Sequence, residues 1–316
     1  MVNGLNLAFQ FLDSFAFVVL AAAGLAVIFG IMGVINLAHG EFILFGAYAT
    51  TKSVTDLGLP LPAAMVVGSL LTAGFGVIVE RTIISGFVPN WIGQRTVGRD
   101  LIEPLYDRLA DSMVATFGLS LVMVQSARIL FGNSIDTVGT PFGNVAYGEF
   151  SYSTYRLVLA GVAIGVLVAA YYLFTRTTFG TRVRATMQDE QTAKALGIDT
   201  GRTYMLTFGI GSGLAGLTGA LFAPVLSMQP TLGDQFLIEA FVAVVVGGPS
   251  VVLGTALSGG VLGAVSATVT NLTDSTTFGR IALLIAAILA LRFLPGGITG
   301  LIERVRARRQ EATDGD

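Results

Sequence analysis

Three polar residues stand close together between two apolar runs. They are Asn36, His39 and Glu41, within Gly33-Val34-Ile35-Asn36-Leu37-Ala38-His39-Gly40-Glu41-Phe42. An amide, an imidazole and a carboxylate at this spacing could border the path of a small polar solute, relay a proton, or serve backbone groups freed by a helix break. His39 is the only histidine, so a relay would have one imidazole and one carboxylate, a poor chain for that work. Two readings remain. In the first, Asn36 and Glu41 satisfy freed backbone groups and His39 is bonded locally. In the second, the three touch the solute. Either way, polar groups in apolar surroundings are costly unless paired or wetted. The chain has no cysteine, which excludes disulfides, thiolate catalysis and Cys-ligated metals. One histidine and no cysteine leave a membrane enzyme without a metal or nucleophile constellation. We expect no catalytic residues, no metal and no cofactor bound by this chain.

A second informative stretch runs from Arg176 to Ile198. Residues 182–196 read as one amphipathic helix stopped by Gly197. Asp189 and Glu190 lie mid-helix in this reading, and Ala193 and Leu196 form an apolar knob flanked by Arg182 and Arg184. A short helix of this kind suits docking into a groove on a soluble partner, and the plain alternative is a surface loop. Gly211-Ser212-Gly213-Leu214-Ala215-Gly216 matches the dinucleotide fingerprint by letter but sits inside an apolar helix rather than after a strand. Gly-Lys occurs nowhere, so there is no Walker A loop, and if ATP drives this protein a partner subunit binds it. The pairs Gly161/Gly165, Gly209/Gly213 and Gly259/Gly263 have the spacing of close helix crossings in lipid.

Positioning these residues falls to apolar helices. Of 316 residues, 53% are hydrophobic and 12% charged, about half the charge of a soluble domain. The expected class is an all-α integral membrane bundle. Nine apolar segments are marked, roughly 11–35, 41–55, 61–80, 112–132, 156–175, 203–223, 236–248, 250–270 and 279–294. The second and seventh are short of the ~20 residues a span needs, and such segments survive at membrane depth only when shielded or lining a cavity. Most of the 18 basic residues fall in three places: Arg81, Arg95, Arg99 and Arg108; Arg176, Arg182, Arg184, Lys194 and Arg202; and Arg292, Arg304, Arg306, Arg308 and Arg309. Nine crossings with the N-terminus outside put all three in the cytoplasm, as the positive-inside rule requires. We expect a membrane domain over 1–302, a cytoplasmic coupling loop over 176–202, a charged cytoplasmic tail over 303–316, and a surface helix within 81–110. Arg128, Arg156 and Arg280 lie near outer span ends, where snorkelling explains them. A net charge of -2 argues against a nucleic-acid partner.

At these residues a family resemblance is plain. Gly33 to Glu41 resembles the N-terminal signature of the permeases of high-affinity branched-chain amino acid importers and of their relatives, the urea importer permeases. Arg184-Ala185 through Ala193 and Leu196-Gly197-Ile198 resembles their coupling loop. Val245-Val246-Gly247-Gly248 with Gly254-Thr255 resembles their C-terminal signature, and Leu291-Arg292-Phe293-Leu294-Pro295-Gly296-Gly297 their closing motif. The resemblance implies a cell-membrane permease subunit of an ATP-binding cassette importer. Its partners would be ATPase subunits that hydrolyse ATP, a second permease (paralogue or self) and an extracytoplasmic solute-binding protein. It makes Gly247 and Gly248 path candidates beside Asn36, His39 and Glu41. Ala115 to Ser120, Ser153 to Arg156, Met205 to Gly209 and Pro230 to Gly233 are similar to the urea branch. The run Gly247-Gly248-Pro249-Ser250 and an insertion over 90–110 depart from the family pattern. The short second and seventh segments occupy matching places in two halves, as inverted repeats with discontinuous helices would. The competing class is a stand-alone channel or ion-coupled carrier, for which Asp13, Glu41, Glu239 and Arg128 are the charged candidates.

Overall fold

The structure is a computed structural model, and it describes residues 2–85, 105, 109–133, 137–147, 150–248, 250–294 and 296–314. The surface helix expected within 81–110 falls largely outside the described residues. Among the described residues twelve α-helices follow in order: α1 Val2–Met32, α2 His39–Thr55, α3 Leu61–Val79, α4 Leu109–Phe131, α5 Thr154–Arg176, α6 Thr178–Gln188, α7 Glu190–Ala195, α8 Thr200–Phe222, α9 Leu232–Gly247, α10 Val251–Thr273, α11 Thr276–Phe293 and α12 Gly297–Asp314. A π-helical turn, Glu80–Ile84, prolongs α3. Each of the nine apolar segments falls on one helix. Among the described residues, seven stretches are long and apolar enough to cross a membrane: Gly4–Met32, Leu61–Ile84, Leu109–Phe131, Thr154–Arg176, Thr200–Phe222, Val251–Thr273 and Thr276–Ile302. The two short segments are α2, with 17 residues, and α9, with 16. At 1.5 Å per residue each reaches about 25 Å, short of a ~30 Å hydrocarbon core.

The chain divides into two compact units, each assembled from separated segments. One comprises residues 1–23, 140–170 and 238–316; the other comprises 24–139 and 171–237. The boundary expected at residue 303 falls inside α12, so residues 303–314 continue a helix that starts at Gly297.

In the second unit, α2, α3 and α8 cross closely through small residues. A Cβ on Gly46 would lie 2.7 Å from the Gly216 carbonyl carbon, and one on Gly219 would lie 2.8 Å from the Ala47 nitrogen. Gly209 and Gly213 pack on Val77 and Ala73 of α3. Ser69 Oγ donates to the Gly213 carbonyl at 2.8 Å, and Phe42 packs on Phe75 and Phe208. The six-letter glycine run is therefore a helix-packing face of α8, which its place inside an apolar helix already favoured.

In the first unit, Gly259 and Gly263 of α10 take Val19 and Phe15 of α1. Gly161 and Gly165 depart from the expectation: both are exposed on α5, and nothing lies within 4 Å of a Cβ added to either. Spacing alone does not say which face of a helix is covered. The segment before α5 holds an antiparallel hairpin, β1 Asn144–Tyr147 and β2 Phe150–Ser153, with Asn144 opposite Ser153. Tyr152 holds it to α1 by stacking on Phe9 at 5.1 Å and donating to the Phe9 carbonyl at 3.0 Å.

Candidate functional site: a broken helix and a coupling segment

Helix α1 ends at Met32 because Gly33 takes φ +67, a left-handed stop that favours glycine. Its N–H closes on the Phe29 carbonyl at 3.0 Å. The chain is non-helical to Ala38, and α2 begins at His39. Freed backbone groups need partners in a buried setting. Asn36 supplies one, since its Oδ1 accepts the Ala38 N–H at 3.0 Å. The other comes from α4: Thr116 Oγ1 accepts the Leu37 N–H at 3.0 Å and lies 3.2 Å from the Ile35 carbonyl. Glu41 also reaches across to α4. Its Oε1 accepts the Ser120 hydroxyl at 2.8 Å, and its place in the first turn of α2 suits a negative charge.

The sequence reading did not single out the face of α4 that does this work. Ser112, Thr116 and Ser120 recur every fourth residue and are the buried residues of that helix. The spacing was the available signal, because three hydroxyls in line on an otherwise apolar helix need a polar neighbour. Leu37 meets Thr116, Glu41 meets Ser120, and Tyr48 meets Phe131 with ring centroids 5.1 Å apart. These pairings run α4 alongside α2 in the same direction.

Asn36, Glu41, Tyr48 and Thr51 are all buried. The Asn36 Nδ2, the Glu41 Oε2 and the hydroxyls of Tyr48 and Thr51 have no hydrogen-bond partner among the described residues. Glu41, Tyr48 and Thr51 are two turns and then one turn apart, on one face of α2. His39 is fully buried elsewhere: its ring packs beside Gly24, where a Cβ would lie 3.1 Å from Cε1. It sits in a helix crossing rather than along this polar line.

The second short helix starts against the first. A Cβ on Gly40 would lie 2.7 Å from the Gly233 carbonyl carbon, and one on Gly233 would lie 2.6 Å from the Gly40 carbonyl carbon. The N-terminal turns of α2 and α9 therefore cross backbone to backbone. Gly247 and Gly248, at the other end of α9, belong to the first unit and take part in tight turn packing. Gly247 closes on Gly254, and Gly248, at φ +86, faces Gly297. The Thr299 hydroxyl donates to the Gly247 carbonyl at 2.8 Å. The five path candidates thus fall into separate groups, with only Asn36, His39 and Glu41 on the broken segment.

Two ion pairs lie in the first unit, where snorkelling was expected. Arg156 pairs with Asp13. Arg280 pairs with Glu239 at 3.0 Å and lies 5.5 Å over the Phe17 ring. The carboxylates come from α1 and α9, distant in sequence, which is why the sequence alone left both arginines to the membrane edge.

The segment from Arg176 to Ile198 differs in two respects from the helix expected over 182–196. It is two helices, α6 and α7, meeting at Asp189, whose backbone is extended. The reason is local: aspartate is a strong N-cap and a poor mid-helix residue. Asp189 accepts the Thr192 N–H at 2.9 Å and its hydroxyl at 2.7 Å, and these bonds hold its carboxyl below the ordinary carboxylate value. Gly197, at φ +84, ends α7, with Gly197 N–H on Lys194 and Ile198 N–H on Ala193, both at 3.0 Å, the double closure of a Schellman stop. Ala193 is buried, which corrects its place in an exposed knob; Leu196 (76% exposed) and Met187 (46%) are the apolar side chains that face outward, with Arg182 and Arg184 exposed nearby. The segment is tied at both ends. Arg184 donates to the Phe174 carbonyl of α5. Glu190 accepts from Thr200 at 3.3 Å and Tyr204 at 3.4 Å, both in α8.

Seven long apolar helices, two short ones and a polar break buried in the bundle define a multi-pass helical membrane protein. The chain belongs to the family described as branched-chain amino acid transport system / permease component, whose model matches residues 7–293. It is 26% identical over 90% of its length to a probable branched-chain amino acid transport permease of Methanocaldococcus jannaschii, covering 88% of that protein. It is 28% identical to a high-affinity branched-chain amino acid transport permease of Pseudomonas aeruginosa, with 95% of this chain and 94% of that one aligned. The corresponding Escherichia coli K12 permease is 26% identical, with the same shares aligned.

Proposed function

We propose that this chain is the membrane-spanning permease subunit of an ATP-binding cassette importer for a small polar solute. In this reading a soluble binding protein delivers the solute from outside, two permeases frame the path, and partner ATPases supply the energy. The N-terminus faces out and the C-terminus faces the cytoplasm, since that orientation puts the basic segments inside. The observation that carries the proposal is the coupling segment. Helices α6 and α7 are braced against α5 and α8 at both ends while Leu196 and Met187 face outward. A braced lever with an exposed apolar tip can pass ATPase closure to spanning helices; a stand-alone carrier has no use for one.

The polar line of α2, Asn36, Glu41, Tyr48 and Thr51, is the face we assign to the solute path, with Ser120 and Thr116 opposite. It starts where α2 and α9 cross, and discontinuous helices meeting at depth commonly mark solute sites. We assign the solute to urea or a branched-chain amino acid. The motifs over 115–120, 153–156, 205–209 and 230–233 favour urea; the names of the relatives favour the amino acids.

Membrane vesicles carrying the full importer test both parts. Leu196→Asp is expected to cost most of the co-purifying ATPase and most of the uptake. Uptake that persists without ATP sinks the importer reading in favour of a carrier. Labelled urea uptake unaffected by excess leucine assigns the solute to urea, and leucine uptake unaffected by urea assigns it to the amino acids.

A further inference from the structure

The function proposed above makes no use of α12. Its first turn is fixed in place. Thr299 is buried and bonded to the Gly247 carbonyl, and a Cβ on Gly297 would lie 2.6 Å from Gly248 Cα. Helix α12 therefore leaves from a rigid base at the end of α9. Beyond that base its side chains turn outward. Leu301, Ile302 and Val305 are 44%, 36% and 45% exposed, and Arg304 and Arg306 are exposed as well.

The order of these residues matters. Leu301 and Val305 are one turn apart, with Ile302 beside them, and form one strip. At 3.6 residues per turn, Arg304 falls on one border of the strip and Arg306 on the other. In the sequence Arg308 and Arg309 follow. An apolar strip edged by guanidiniums, at the very end of a membrane-crossing stretch that closes at Ile302, is the geometry of a helix end lying in the headgroup layer. Arginine stems cover the strip while their guanidiniums reach outward, and a planar guanidinium matches phosphate oxygens two at a time. A wholly polar docking face would have no need of the three exposed aliphatic side chains.

We propose that α12 is a binding site for anionic phospholipid. Arg304 and Arg306 hold phosphate-bearing headgroups, and Leu301, Ile302 and Val305 sit among the first carbons of the acyl chains. Because the base of α12 is clamped to Gly247 and Gly248, bound lipid braces the C-terminal end of the short helix α9. The inference rests on the membrane assignment and holds whether the energy comes from ATP or from an ion gradient.

The test uses the full chain purified in mild detergent and given an equimolar mixture of phosphatidylglycerol and phosphatidylcholine. Retained lipid is counted by native mass spectrometry. Phosphatidylglycerol is expected to dominate, and its excess to shrink as salt is raised. Each arginine replaced by glutamine is expected to reduce that preference on the order of fivefold at low salt. Leu301→Ser with Val305→Ser is expected to lower retention of both lipids alike, and millimolar inorganic phosphate to displace neither. Three results overturn the proposal. In the first, the variant with Arg304 and Arg306 both replaced, shown intact by helical circular dichroism and a monodisperse elution, keeps the full preference. In the second, the unmodified chain shows no salt dependence, a result independent of how any variant folds. In the third, the arginine variant loses a co-purifying ATPase while its lipid preference stays unchanged, which assigns the face to a protein partner.

Discussion

Replacing Gly40 with alanine tests the crossing of the two short helices. The added methyl carbon would lie 2.7 Å from the Gly233 carbonyl carbon, nearer still to its oxygen, and 3.1 Å from its Cα. Ordinary contact begins at 3.4 Å. The obstacle is backbone, so no side chain can rotate away, and the start of α2 must move from that of α9 by something near 1 Å. Overpacking of this kind costs about 1–3 kcal/mol, and the rigid neighbour places Gly40→Ala toward the upper figure. The displaced turn is the one that presents Glu41 to Ser120, so uptake is expected to fall further than stability. The assay is solute uptake in vesicles alongside a melting curve of the purified chain, with Gly74→Ala as the control. Gly74 is exposed in mid-α3 with nothing within 4 Å of an added Cβ. There the same substitution gains up to about 1 kcal/mol in helix propensity. Uptake and melting of Gly40→Ala equal to those of the unmodified chain would refute the crossing, and with it the claim that α2 and α9 are held backbone to backbone. Gly233→Ala should reproduce the defect. The double variant should cost less than the sum, because helices already parted admit the second methyl.

Other outcomes follow from the same geometry. Ser120→Ala removes the Glu41 Oε1 partner and is expected to cost about 1–3 kcal/mol, read by thermal denaturation, whereas Ser120→Thr keeps the hydroxyl and most of the stability. Glu239→Gln leaves Arg280 without its carboxylate and is expected to destabilise the chain more than Glu239→Gln combined with Arg280→Gln; equal losses in the melting curves would deny the pair. Asp189→Ala should release the turn between α6 and α7 and reduce ATPase co-purification, while Asp189→Asn, also a good N-cap, retains most of it. Because the Asp189 carboxyl is held low by its bonds from Thr192, its cap is present above the ordinary carboxylate value and is lost only as pH falls through the lowered one. ATPase association is therefore expected to be flat across roughly pH 5–8 as far as this group is concerned.

Much of this molecule was legible in one dimension. A helix in lipid must be apolar along most of its length and must satisfy its own backbone. Composition and run length therefore placed all nine segments and marked α2 and α9 as short. Gly197 was readable as a stop because a left-handed residue after a helix favours glycine, whereas the first apolar segment ran on to residue 35 and hid the stop at Gly33. The break at Asn36 was visible because polar residues rarely interrupt such runs without cause. What stayed hidden was pairing at a distance. Nothing in the order of residues says that Ser120 faces Glu41, that Gly40 meets Gly233, or that Arg280 finds Glu239. Each joins residues dozens to nearly two hundred positions apart, and only the packing of one helix on another brings them together. The same limit explains the glycine pairs: Gly209/Gly213 and Gly161/Gly165 are alike in spacing, yet one is covered by α3 and the other faces outward. Sequence decides which stretches cross a membrane and where they bend, since those costs are local to each segment. Tertiary structure decides which polar side chains serve one another, since that depends on which faces the folded helices bring together.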